Sequence, residues 1–239
     1  MSARDGGPAF PSRVKVDPRL VRHVRESAEI GMQDPADPAT PLGYYHPDGP
    51  IGDVFATTAD APPRDVAVVG LGSGALAAYG RSGDGFTYYE IDPAVARIAS
   101  DPAYFTYLGD GRLSLERTED VYDLIALDAF SSAAIPIPPL PAEAVQDYLA
   151  HLRADGVLAI HISNRYFDLA PVVSRLAETF GLSAMGRLDV PPPAQVEAGH
   201  WSSTWVALAP EPAALSGLSA ADGWGALPPG EGRLWTDDY

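Results

Sequence analysis

The chain has 239 residues, 46% apolar and 20% charged, enough apolar material for one sizeable core and too much for disorder to be the default state. It contains no cysteine, which excludes a disulfide framework, a thiolate metal site and a cysteine nucleophile. Its 32 acids against 16 Lys and Arg give a net charge of -16, a field that repels nucleic-acid backbones and anionic membranes and draws cations, although solubility alone explains it equally well.

The opening MSARDGGPAF lacks the apolar run of a signal peptide, and no stretch approaches the length of a membrane span, so a cytoplasmic protein without a membrane partner is expected. Residues 1–12 read as a disordered leader. Residues 13–60 carry short Val- and Ile-bearing segments, RVKV and AEIGMQ among them, broken by Asp-Pro, Pro-Leu-Gly and Asp-Gly-Pro turns. They read as a small β-rich module or lid. The segment APPR then leads into a main domain over 61–239. Strands are expected there at 66–69, 86–91, 123–127, 157–162 and 205–208, with 104–108 as the weakest candidate, and helices at 93–99, 112–117, 142–152 and 170–180. This alternation predicts a doubly wound, mostly parallel α/β sheet of Rossmann-like type, with ligands at the carboxyl ends of its strands.

The first strand of that domain runs into Gly70, Gly72 and Gly74, and the second ends in the acids Glu90 and Asp92. A glycine turn at a strand end lets backbone amides approach a ligand closely, and an acid about twenty residues on can accept hydrogen bonds from ribose hydroxyls. The bland reading is a tight turn and a solvated acid, but the strand-turn-helix-strand-acid context favours a nucleoside pocket. Gly70, Gly72 and Ala75 also satisfy the dinucleotide pattern. Asp110, Asp128 and Asn164 continue the series of polar strand ends, which a dinucleotide enzyme does not need; helix capping is the plain alternative for Asp110.

These runs, GLGSGALAAYG, YYEIDP, YFTYLGDGRLSL, YDLIALDAFSSAAIP and GVLAIHISNRYFDL, together with GMQ ending at Gln33, YYHPDGP starting at Tyr44 and the final LWTDDY, resemble the spermidine synthase (polyamine aminopropyltransferase) family. The resemblance implies the class I S-adenosylmethionine-dependent methyltransferase fold. It is nearest to the bacterial branch whose synthase-like domain is often fused to a transmembrane transporter-like half. It implies transfer of an aminopropyl group from decarboxylated S-adenosylmethionine to a small amine or polyamine-like acceptor, by a homodimer or higher homo-oligomer. Glu90 would hold the ribose, Asp110 the adenine, and Asp128 would lie near the reacting centre; Gln33, Gly70, Gly72, Ser73, Gly74, Ile91, Asp92 and Gly111 would complete the donor pocket.

The chain departs from the family where Ala133 replaces an aspartate that helps bind and deprotonate the amine, and where Ser73 replaces an acid in the glycine turn. The segment between Tyr107 and Asp110 is also short. Asp128 is then the best remaining acid, and Tyr45 and His46 are candidates to orient or deprotonate an amine, against the null of a surface turn. His161, inside an apolar strand, reads as a satisfied core histidine before it reads as a site residue. Asp237 and Asp238 read as solvated acids, the proline-rich run at 136–141 as a stiff loop, and Trp201, Trp205 and Trp235 as packing aromatics. The five histidines show no ligand spacing, so no metal is expected. Besides aminopropyl transfer, methyl transfer from S-adenosylmethionine, a non-catalytic nucleoside-binding protein and, last, a nicotinamide enzyme remain open.

Overall fold

The computed structural model describes residues 33–34, 37–59, 61–72, 74–90, 105–108, 119–128, 140–164, 168–230 and 233–237. The leader, the RVKV strand, the helices expected at 93–99 and 112–117, and Ser73, Ile91, Asp92, Asp110, Gly111 and Ala133 lie outside them. The first described elements are a short antiparallel pair, β1 (Gln33–Asp34) and β2 (Asp37–Pro41), followed by helix α1 (Pro50–Ala56). No helix was expected there. Pro50 stands in its first turn, where the missing N–H costs nothing, so Asp-Gly-Pro is a helix start as well as a turn.

The main sheet then builds from β3 (Asp65–Val69), β4 (Gly85–Glu90), β5 (Phe105–Leu108), β6 (Tyr122–Leu127), β7 (Leu152–His161), β8 (Ser183–Asp189) and β9 (Ser203–Ala209). These form a seven-stranded sheet in the order β5-β4-β3-β6-β7-β9-β8. All neighbours from β5 to β7 pair in parallel, while β9 runs antiparallel to both β7 and β8. Helices α2 (Ala142–Ala150) and α3 (Ala170–Phe180) connect the later strands. Two shorter ones, α4 (Pro193–Glu197) and α5 (Ser216–Ala220), flank β9 in sequence.

Strand side chains alternate between faces, and the two faces bury different sets. Val66, Val68, Phe86, Tyr88, Leu124 and Ala126 share one apolar cluster with Ile51, Val54 and Phe55 of α1. Ala67, Val69, Tyr89, Ile125 and Leu127 share the other with Val145 and Tyr148 of α2 and Val173 and Leu176 of α3. Ile125, Leu127, Leu158 and Ile160 are fully buried, each stabilising the fold by about 1.5–3 kcal/mol. Helices on both faces also explain why these strands read as nearly continuous apolar runs.

The chain enters the sheet at β3 and winds outwards through β4 and β5, then returns to the other side of β3 as β6. That reversal opens a crevice at the carboxyl ends of β3 and β6, the site a doubly wound sheet offers to a ligand. The sheet contains one strand the sequence does not announce. The β8 segment SAMGRLD is an edge strand, mostly half-buried, without the apolar alternation of its neighbours.

Candidate functional site

The alternation that builds the core also aims the strand ends. Phe86 and Tyr88 face the α1 side, so Glu90 follows on that side; Leu124 and Ala126 lead in the same way to Asp128, and Val157 and Ala159 to His161. The strands pair Val69 with Leu127 and Leu127 with Ile160, which sets Asp128 and His161 next to each other just past the last rungs. Asp128 N–H donates to the Val69 carbonyl at 2.8 Å, and Gly70 N–H to the Tyr89 carbonyl at 2.9 Å, so the three carboxyl ends are locked together.

Gly70, Gly72 and Gly74 have φ of 98°, 51° and 75°, each in the left-handed range that side chains with a Cβ resist. The turn leads into the short helix expected after it, a 3-10 helix at Ala75–Tyr79. Glu90, 7% exposed, accepts the Leu71 N–H through Oε2 at 2.9 Å. The acid expected at the ribose is thus tied to the glycine turn.

Tyr44 and Tyr45 reach this crevice from the loop between β2 and α1. Gly43 N–H donates to the Gly199 carbonyl at 2.6 Å and Trp201 N–H to the Gly43 carbonyl at 3.1 Å, while the Tyr79 hydroxyl holds the Tyr45 carbonyl at 2.5 Å. Tyr45 is only 2% exposed, and its hydroxyl donates to Asp128 Oδ2. Burial, with the Asp128 charge beside it, pushes the Tyr45 hydroxyl well above its ordinary pKa, so Tyr45 is a proton donor here and not a base.

The other Asp128 oxygen meets His161, whose Nδ1 lies 2.8 Å from Oδ1. The two side chains are 5% and 6% exposed, respectively. His161 Nε2 is 2.8 Å from Ser163 Oγ, which also accepts the Thr204 N–H at 2.8 Å. The imidazole is stacked between Tyr44 and Trp205, with ring centroids 4.7 and 4.8 Å away. His161 is indeed a satisfied buried histidine, and what satisfies it is the acid of the site. Its signal in the sequence is positional: it ends β7 on the face that Val157 and Ala159 define.

His46 lies elsewhere. Its ring stacks on that of His200, 4.4 Å between centroids and 7° from parallel, and its Nδ1 accepts the Asp48 N–H at 3.2 Å. Burial and the neighbouring His200 lower its pKa, favouring the neutral ring. His200 Nε2 pairs with Asp189 Oδ2 at 2.5 Å, while its buried Nδ1 has no hydrogen-bond partner among the described residues. Arg187 joins this group to α1: Nη2 donates to Asp189 Oδ1 at 3.1 Å and to the Asp48 carbonyl at 3.0 Å, and Nη1 bonds Asp53. Asp53 Oδ2 also accepts the Trp224 indole N–H at 2.8 Å. Ligand-type atoms of His46, Asp48 and His200 fall within 4.8 Å of one another, a grouping that sequence spacing hides. In-plane lone pairs of two parallel imidazoles do not converge on a point, so the stacked pair lacks the geometry of a closed metal site. Gln33 lies in β1 opposite Pro41, within the pair that precedes the Tyr44 loop.

No protein-family model and no curated protein sequence matches the chain. Solved structures do. A probable spermidine synthase from Corynebacterium glutamicum aligns with TM-score 0.55 and 19% identity over 72% of this chain and 66% of that one. The spermidine synthase of Thermotoga maritima gives 0.51 and 14%, over 74% and 64%. A spermidine synthase bound to the transition-state analogue AdoDATO gives 0.50 and 12%, over 74% and 63%. The chain therefore spans slightly under two thirds of each of these proteins. The likeness shows the fold: the chain has the Rossmann-like class I methyltransferase architecture expected from its sequence.

Proposed function

We propose that this protein is a transferase that takes an S-adenosylmethionine-type sulfonium donor, and that it moves an aminopropyl group from decarboxylated S-adenosylmethionine to an amine acceptor. The observation that carries this reading is the Asp128 carboxylate, buried at the crevice, with one oxygen on Tyr45 and the other on His161. Such a group suits an acceptor that arrives as an ammonium ion, because it attracts the cation and can take its proton. The positive-φ glycine turn, tied to Glu90, fits the nucleoside half of the donor. Asp128 stands one strand away.

The sulfonium supplies a leaving group that needs no protonation. The acceptor nitrogen, once neutral, uses its lone pair to form the new N–C bond; the C–S bond breaks with its electron pair on sulfur, leaving a neutral thioether. The positive charge passes to nitrogen, and the proton removed beforehand resides on Asp128 or solvent. Tyr45, holding its own proton, fixes the carboxylate and keeps that face of the crevice closed to water. Stacked Tyr44, His161 and Trp205 make the floor beside it rigid.

Calorimetric titration with decarboxylated and intact S-adenosylmethionine, followed by product analysis with a polyamine acceptor panel, tests the proposal. Preference for the decarboxylated donor and release of methylthioadenosine is the expected outcome. Preference for the intact donor with release of S-adenosylhomocysteine would replace it with methyl transfer, a reading the Ser73 and Ala133 replacements favour. Binding of neither would remove the transferase assignment.

A further inference from the structure

We infer that His161 is the positioning residue for Asp128: its Nδ1–H holds Oδ1 of a buried carboxylate, so that Oδ2 is presented to Tyr45 and to the acceptor's nitrogen. This rests on the transferase reading for its catalytic consequence, but its structural core stands on the His161 contacts alone.

The proton on Nδ1 follows from the partners. An ionised carboxylate has no hydrogen to give, so the 2.8 Å contact with Asp128 requires the hydrogen on Nδ1. Ser163 Oγ already accepts the Thr204 N–H, and its own hydrogen can then be donated to Nε2. If the ring gains a proton, the second lone pair of Oγ accepts the new Nε2–H. Nδ1 therefore keeps its hydrogen in both charge states.

Orientation is fixed as firmly as protonation. Tyr44 covers one face of the imidazole and Trp205 the other, tilted from it by only 23° and 18°. The ring cannot swing away from Asp128 without breaking both stacks. Among the described residues, the ionisable groups facing it are Asp128 from the end of β6 and Tyr44 from the loop before α1; Tyr45, from the same loop, is bonded to Asp128. From β9 come Trp205 and the Thr204 amide, neither of which titrates.

In His161→Asn the amide nitrogen stands where Nδ1 was and can donate to Asp128; in His161→Gln it stands where Nε2 was and meets Ser163; His161→Leu only fills the space between the aromatics. The expected result is that His161→Asn retains turnover within about threefold, whereas Gln and Leu each lose roughly 100-fold in kcat with the donor KM nearly constant. Equal losses in Asn and Leu would overturn the assignment.

The second measurement needs no activity. Nitrogen-15 NMR of the histidine rings of the intact protein should show neutral His161 protonated at Nδ1, with Asp128→Ala releasing that preference. A wild-type ring protonated at Nε2 alone would overturn the inference even if the enzyme transfers an aminopropyl group. Conversely, an Nδ1–H ring in a protein that binds neither donor would sink the transferase reading and leave the pair standing.

Discussion

Two histidine clusters flank the Tyr44–Tyr45 loop, and they are built on opposite rules. At His161 both ring nitrogens have partners, one carboxylate is shared with a tyrosine, and two aromatic faces fix the plane. At His46 and His200 the rings stack on each other, one buried nitrogen is orphaned, and the nearby carboxylates belong to a chain of ion pairs through Arg187. The first arrangement converges on one small group at a crevice. The second runs from the loop and α1 to the edge strand β8, joining distant segments. Histidine content alone does not separate chemistry from scaffolding; where the partners point does.

The sharpest way to break the contrast is Asp128→Asn. It should lower single-turnover transfer by roughly 10³-fold, within the range for a lost general base, while donor affinity measured by calorimetry stays within about threefold. Full transfer in this variant would mean that the converging cluster is scaffold as well. The scaffolding cluster has its own counterpart in Arg187→Met, which takes the guanidinium from Asp53 and Asp189, whose side chains are 23% and 10% exposed, and leaves them only the Trp224 indole and the His200 ring among the described residues. Urea unfolding should show a loss of about 3 kcal/mol, with kcat per folded molecule unchanged. A stable variant with impaired turnover would reverse the roles given to the two groups.

How far the sequence reveals this division depends on what each residue's neighbours are. The centre of the parallel sheet is legible because β3, β4 and β6 are short runs rich in apolar residues that end at a glycine or an acid, so Gly70, Glu90 and Asp128 stand out at once. The strand at 105–108 emerges where the weakest candidate was expected. β8 does not announce itself, since an edge strand needs no apolar alternation, and β7 starts at Leu152, before its apolar run. His161 was visible but read as packing, because only the register between β6 and β7 reveals that its partner is Asp128. The pairing of His46 with His200 follows the parallel bridge between Gly43 and His200, a contact no local pattern encodes, whereas Arg187 and Asp189 stand two residues apart on one face of β8.

A smaller effect separates the nucleoside side of the crevice from both clusters. Glu90→Ala removes the acceptor of the Leu71 N–H and the acid proposed to meet the donor's ribose. Donor binding should weaken by about 1–3 kcal/mol in calorimetry, with the His161 ring still protonated at Nδ1 by nitrogen-15 NMR. Unchanged affinity would confine Glu90 to holding the turn.

The smallest effect is a pH dependence confined to the stacked pair. Burial and His200 lower the His46 pKa in the folded protein, with Asp48 and Asp189 opposing them. The unfolded chain therefore binds the proton more readily, and stability must rise with pH across the window between the two values. It is fully present above the ordinary 6.5, begins to fall below it, and levels off once the pH is under the folded value. Comparing urea midpoints of the wild type and His46→Gln at successive pH values isolates this contribution, because His200 and the carboxylates remain in both. The wild type should lose ground to the variant on acidification through that window. Parallel curves would show that the fold does not hold His46 neutral, and the distinction between the stacked pair and the His161 cluster would then rest on geometry alone.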